Sequence, residues 1–198
     1  MVEQTTPVEL AERVAKIALG LNIETALRGA YALAAYHYVR ASSDIDLATV
    51  VQLHQLENLK SAVEDAGFHT SLRTPDDQDP LGGVLTVWER SDDEGDPIDP
   101  VEVVNYLNPY RPQRTPALQA IRNAISLDEK PALRYPRLSD LIALKLYAGN
   151  RGDVADVVEL LVRNPNADLD EIRSTCKGFG FDQIDELIQE AQDEARRP

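Results

Sequence analysis

Apolar residues recur every three or four positions from Pro7 to Leu19, and Pro7 suits a first helical turn, so a helix ended by Gly20 is predicted there. A second apolar stretch, Ala30 to Tyr38, follows Gly29 and reads as a buried helix. The pattern then changes to alternation. Asp44-Ile45-Asp46-Leu47-Ala48-Thr49-Val50-Val51 places β-branched and apolar residues between polar ones, which predicts a strand. Leu53, Leu56, Leu59 and Val63 mark one face of a helix over 53–66, with Gly67 as its stop. Short strands are predicted at Phe68–Arg73, Val84–Trp88 and Val101–Leu107, separated by acidic, Pro-containing loops at 74–80 and 91–97. Helical spacing returns at Ala117–Ile125, Leu138–Ala148, Asp153–Val162, Leu169–Cys176 and Asp182–Arg196.

Strands therefore crowd 44–107, two helices precede them and helices close the chain. This is an α+β arrangement, a small mixed β-sheet flanked by helices with a helical C-terminal part. Pro109, Pro112 and Pro116 place a boundary near residue 110, giving a core over 1–110 and a helical part over 111–198 packed on it.

Composition narrows the setting. Hydrophobic residues make up 43% of the 198 positions, enough for a proper core. No apolar run approaches the roughly 20 residues of a membrane span, and the polar N-terminus lacks the character of a signal peptide. Cys176 is the single cysteine, which rules out an internal disulfide and points to the reducing cytoplasm. A net charge of −14 argues against broad binding to DNA or other nucleic acid. The charge is uneven, however. Residues 111–151 hold eight cations and three anions, a net of +5, leaving −19 for the rest. That segment is either a solvated mixed surface or a cationic wall for triphosphate or an RNA end.

Asp44 and Asp46 carry the candidate chemistry. Residues i and i+2 of a strand project from the same face, with Cα atoms roughly 6–7 Å apart. Two such carboxylates repel unless a cation sits between them, and their oxygens suit a hard ion such as Mg²⁺ or Mn²⁺ together with substrate phosphates. Gly29, fifteen positions earlier, lets backbone approach a ligand closely, and a helix starting at Ala30 would turn free N–H groups toward phosphate. An ordinary turn glycine is the alternative. Glu102, set among Val101, Val103 and Val104, is the candidate third acid, to serve as a general base or a metal ligand. His37, His54 and His69 share no zinc-ligand spacing with Cys176, and no Walker-type or Gly-x-Ser-x-Gly loop occurs.

Two blocks bring a family into view. Gly29-Ala30-Tyr31-Ala32-Leu33-Ala34 with Arg40-Ala41-Ser42-Ser43-Asp44-Ile45-Asp46-Leu47 resembles the signature of the DNA polymerase β-type nucleotidyltransferases. The likeness is to their minimal bacterial branch, with its AbiEii-type and MenT-type toxins. The later block, Leu138–Ala148 followed by Arg151-Gly152-Asp153-Val154-Ala155-Asp156-Val157, is similar to that branch's lysine-bearing helix and the turn after it. The resemblance implies a nucleotidyltransferase fold and Mg²⁺-dependent transfer of a nucleoside monophosphate from an NTP to an acceptor hydroxyl. An RNA or tRNA end, or a protein, would be the acceptor, and a cognate antitoxin a partner. It also implies that Asp44, Asp46 and Glu102 hold the metal, while Gly29, Ala30, Arg40, Ser43 and Lys145 meet the nucleotide phosphates.

Several of these residues keep a plainer reading. Lys145 could snorkel to solvent, Arg40 could pair with a carboxylate, and Asp153 and Asp156 could cap and solvate their helix. Tyr106 and Tyr110 could stack on a base or simply pack. Two departures from the family pattern also matter. Ala30 stands where Gly or Ser is usual, and the third acid is Glu where Asp is commoner. Both leave open a catalytically inactive nucleotidyltransferase-like binding module.

Overall fold

The computed structural model describes residues 5–42 and 44–196. Helix α1 (Pro7–Gly20) begins as its sequence demands. The Thr6 hydroxyl accepts from the Glu9 N–H, and the Glu9 carboxylate accepts from the Thr6 N–H, so two otherwise orphaned donors are satisfied. Its buried stripe is Leu10, Ala11, Val14, Ala15 and Ala18. A three-residue strand β1 (Ala26–Arg28) leads directly into α2 (Gly29–Ala34), and β2 (Ile45–Thr49) follows. Helix α3 (Leu53–Asp65), capped reciprocally by Gln52 and Gln55, buries Leu56, Leu59 and Val63. Strands β3 (His69–Arg73) and β4 (Val84–Trp88) come next. A small hairpin, β5 (Arg90–Ser91) and β6 (Pro97–Ile98), then precedes β7 (Val101–Asn105).

The main sheet has the order β1-β2-β7-β4-β3, with β2 and β7 parallel and every other pair antiparallel. Period-two alternation divides its two faces. Ile45, Leu47, Leu85, Val87, Val101 and Val103 enter the core, on the face where α1 and α3 pack. The opposite face is covered at one end. There Ala26 and Ala48 pack with Ile121 of α4 (Ala117–Arg122), flanked by Val50, Tyr106 and Ala124. One strand-step away lies a row that is only partly covered, Arg28–Asp46–Glu102–Thr86, each residue in register with the next.

A second hairpin, β8 (Ile125–Ser126) with β9 (Arg134–Tyr135), joins α4 to the closing helices. These are α5 (Leu138–Ala148), α6 (Arg151–Arg163), α7 (Leu169–Gly178) and α8 (Ile184–Ala195). Helix α5 packs on α6 and α7, and α6 packs on α8. Their buried residues, from Leu141 to Ala191, belong to the same apolar cluster as α1 and the sheet. No helix among the described residues is long and apolar enough to cross a membrane.

The chain departs from its periodicity at α2. The pattern predicts a helix to Tyr38, but the helix ends at Ala34. His37 turns left-handed at φ 62°, and the Tyr38 N–H reaches back to the Leu33 carbonyl, which satisfies the open helix end. Tyr36 is drawn away by the Tyr135 ring and donates its hydroxyl to the Pro136 carbonyl at 2.8 Å. Tertiary contacts override local pattern here.

Candidate functional site

Asp46 and Glu102 lie side by side because β2 and β7 pair in parallel with these residues in register. Each is half-buried, and neither carboxylate forms a hydrogen bond or an ion pair with any described residue. Burial pushes the Asp46 pKa up, with Arg28 opposing the rise and Asp44 adding to it. Burial also pushes Glu102 up, Asp46 raises it further, and Arg28 holds it back. Asp44, exposed at the entrance to β2, therefore acts electrostatically on both other acids. The three share one electrostatic site. They do not converge on a single point, for among the described residues no three Asp, Glu, His or Cys side chains lie close enough to share one ion. The pair Asp46 and Glu102 nonetheless fits a hard divalent cation, which typically takes one or two carboxylates and completes its shell with water and phosphate oxygens.

Gly29 sits against this pair. Its φ is +61°, and a Cβ placed there would lie 2.8 Å from Oδ2 of Asp46. Any side chain would press on the carboxylate, so glycine here brings backbone and acid together. Ala30 follows as the second residue of α2, whose six residues give it only a short dipole. A cleft opens beside Gly29, lined by Arg28, Tyr106, Leu141, Leu144, Lys145, Ala148 and Asp153. Tyr106 is half-buried in that wall, whereas Tyr110 is 64% exposed.

Lys145 lines this cleft but is already paired with two carboxylates. Its Nζ donates to Asp153 at 2.7 Å and to Asp156 at 2.8 Å. Arg40 takes the carboxylate-pairing alternative, donating from Nη1 to both oxygens of Asp156 at 2.8 and 2.9 Å. Asp156 is 2% exposed and Asp153 9% exposed, so neither solvates its helix. The capping of α6 falls to Asn150, whose side chain accepts from the Asp153 N–H. The burial was legible in principle. Asp153, Val157, Leu160 and Leu161 share one helical stripe, with Asp156 beside Val157 and Leu160.

Other expectations resolve individually. Ser43 lies outside the described residues. The cationic segment is partly consumed by the protein itself. Lys130 pairs with Glu12 at 2.8 Å, Arg134 binds the carbonyls of Ile121 and Ala124, and Arg111 donates to the Gln78 carbonyl. Cys176 is buried, which drives its thiol pKa up to about 12 and leaves it unreactive. Sequence reasoning passed over Arg28, because a three-residue edge strand carries too little pattern to predict.

No protein-family model matches the chain, and no curated protein does. Solved structures do. An antigenic nucleotidyltransferase-like protein from Paracoccidioides brasiliensis superposes with a TM-score of 0.52 at 18% identity, over 92% of this chain and 87% of its own. The fold is a nucleotidyltransferase fold. JHP933 from Helicobacter pylori is similar at a TM-score of 0.45 and 16% identity, over 96% of this chain and 90% of its own. The antibiotic-resistance factor ANT(2'')-Ia is similar at 0.45 and 15% identity, over 94% and 91%. Within the nucleotidyltransferase fold, the Arg28–Asp46–Glu102 row and the Gly29 turn occupy one end of the sheet face that α4 leaves open.

Proposed function

We propose that this chain transfers a nucleoside monophosphate from an NTP to an acceptor hydroxyl, using a divalent metal held at Asp46 and Glu102 with Asp44 at the rim. The observation that carries this reading is the half-buried, in-register pair Asp46 and Glu102, which has no counter-cation in hydrogen-bonding contact among the described residues. Like charges placed so closely cost free energy unless something positive is meant to join them. Mg²⁺ or Mn²⁺ would supply that charge and stabilise the phosphates as the transfer proceeds. The acceptor oxygen would form a bond to the α-phosphorus, the bond to the β-phosphate bridge would break, and pyrophosphate would leave. Glu102 would take the acceptor proton. The backbone at Gly29 and Ala30 would meet the phosphates, while Arg40 and Lys145 act from behind through Asp156.

In this reading residues 1–110 form the transferase core and 111–198 a helical part packed on it, in a cytoplasmic protein. An RNA or tRNA end, or a protein, serves as acceptor. The motif resemblance supports a toxin opposed by a cognate antitoxin; growth arrest on expression that Asp46→Asn relieves would bear this out. A second reading, a catalytically silent binding module, is favoured by Ala30, which supplies no hydroxyl at the turn.

Incubation with each labelled NTP, Mg²⁺, and total RNA or protein separates the two. Labelling of either pool that disappears with Asp46→Asn supports the transferase. Saturable NTP binding without labelling would leave the binding module.

A further inference from the structure

The cations around the site differ in how far they are committed. Lys145 is bound to two carboxylates and Arg40 to one. Arg73, which acts electrostatically on Glu102 from the far edge of the sheet, is paired with Asp79. Arg28 forms no hydrogen bond and no ion pair with any described residue. Its guanidinium rests against the Tyr106 ring, 5.7 Å from the centroid, a contact that orients an arginine without consuming its donors.

We infer that Arg28 is the residue that grips the triphosphate in this site, while Lys145 is reserved for holding α6 in place. The inference rests on the nucleotide reading above and sharpens it. Arg28 closes β1 immediately before Gly29, stands opposite Asp46 in register, and lines the same cleft as Gly29 and Lys145. The turn needs such a group. Ala30 brings no hydroxyl, and α2 is too short to bind phosphate by its dipole alone. A guanidinium fork matches two phosphate oxygens, and its planar donors need little rearrangement to do so. Lys145, by contrast, could reach phosphate only by abandoning two buried carboxylates, which would leave Asp153 and Asp156 short of a cation.

A contact to phosphate is blind to the base. Removing it should weaken all four NTPs alike, and inorganic tripolyphosphate with them.

The test is calorimetric titration of the full chain with tripolyphosphate and with each NTP, with and without Mg²⁺. The variants are Arg28→Met, which keeps an apolar stem on Tyr106, Arg28→Lys and Lys145→Met, with melting temperatures recorded beside each. Arg28→Met should weaken tripolyphosphate and every NTP on the order of tenfold, equally across bases, at an unchanged melting temperature. Arg28→Lys should recover part of the loss. Lys145→Met should lower the melting temperature while retaining more tripolyphosphate affinity than Arg28→Met. Equal binding by Arg28→Met and wild type would overturn this assignment and leave the nucleotide reading standing. A greater loss in folded Lys145→Met would transfer the role to Lys145. Failure of wild type to bind either probe would overturn both.

Discussion

Two groups of acids, one on the sheet beside Gly29 and one on α6 beside Lys145, are treated by the protein in opposite ways. On the α5–α6 side, Asp153 and Asp156 are buried and satisfied, shared between Lys145 and Arg40 with every bond under 3 Å. On the sheet side, Asp46 and Glu102 are half-buried and adjacent, and no cation among the described residues forms an ion pair with them, although Arg28 acts on both electrostatically. A buried carboxylate that is fully paired is a fastening. Asp46 and Glu102 are instead set side by side with their pKa values raised chiefly by burial, an arrangement that disfavours the charged form of each. The first arrangement stabilises the fold, and the second costs stability, which under the proposed function a bound metal would offset.

The contrast can be broken first at the fastening. Asp156→Ala should leave Lys145 without one of its two partners and Arg40 without its own, at a cost of about 3 kcal/mol. In a chain of this size that lowers the melting temperature by roughly 6–12 °C. An unchanged melting temperature would mean that the network holds nothing together.

A smaller effect is expected at the junction of the two regions. Gly29→Ala places a methyl group 2.8 Å from Oδ2 of Asp46 at a φ of +61°, so strain and contact both oppose it. A loss of about 1–2 kcal/mol follows from the left-handed backbone, with metal-dependent NTP binding falling alongside. Denaturant unfolding measures the first and calorimetry the second.

The smallest effect lies in pH. The carboxyl pKa values of Asp46 and Glu102 are raised in the folded protein above their ordinary values of 3.8 and 4.5. Raised values mean that folding favours the protonated acids. Their stabilising contribution is present below the ordinary carboxylate range and is lost as pH climbs through the raised folded values. Without metal, a double variant Asp46→Asn, Glu102→Gln should therefore gain stability relative to wild type as pH rises from 4 toward neutrality. Saturating Mg²⁺ should shrink that difference. Thermal melts across the range check the sign, and a difference that narrowed with pH in metal-free buffer would reverse it.

Much of this site could be read before any coordinates. The alternation after Ser43 predicts a strand bearing Asp46, the valines around Glu102 predict its neighbour, and β4 spans the predicted Val84–Trp88. Local pattern sufficed because each of these elements buries one face of a sheet. The parallel register that joins Asp46 to Glu102 could not be read, because pairing across more than fifty residues leaves no local trace. Arg28 was hidden for a similar reason. Its place beside the acids comes from standing opposite Asp46 on a three-residue strand, not from its neighbours in sequence. The acids of α6 were misleading in another way, since aspartate on a helix ordinarily solvates it, and only the arrival of Lys145 and Arg40 makes burial affordable.

The proposed function depends on the carboxylate pair accepting a divalent cation together with nucleotide. Titration of Mn²⁺ into the protein with a non-hydrolysable NTP analogue, followed by the loss of the free-ion magnetic resonance signal, reads that event without requiring turnover. Saturable uptake should be seen in wild type and should vanish when Asp46→Asn and Glu102→Gln are combined in a protein that still melts cooperatively. Uptake that persists in that double variant would place the metal elsewhere and contradict the reading of this site.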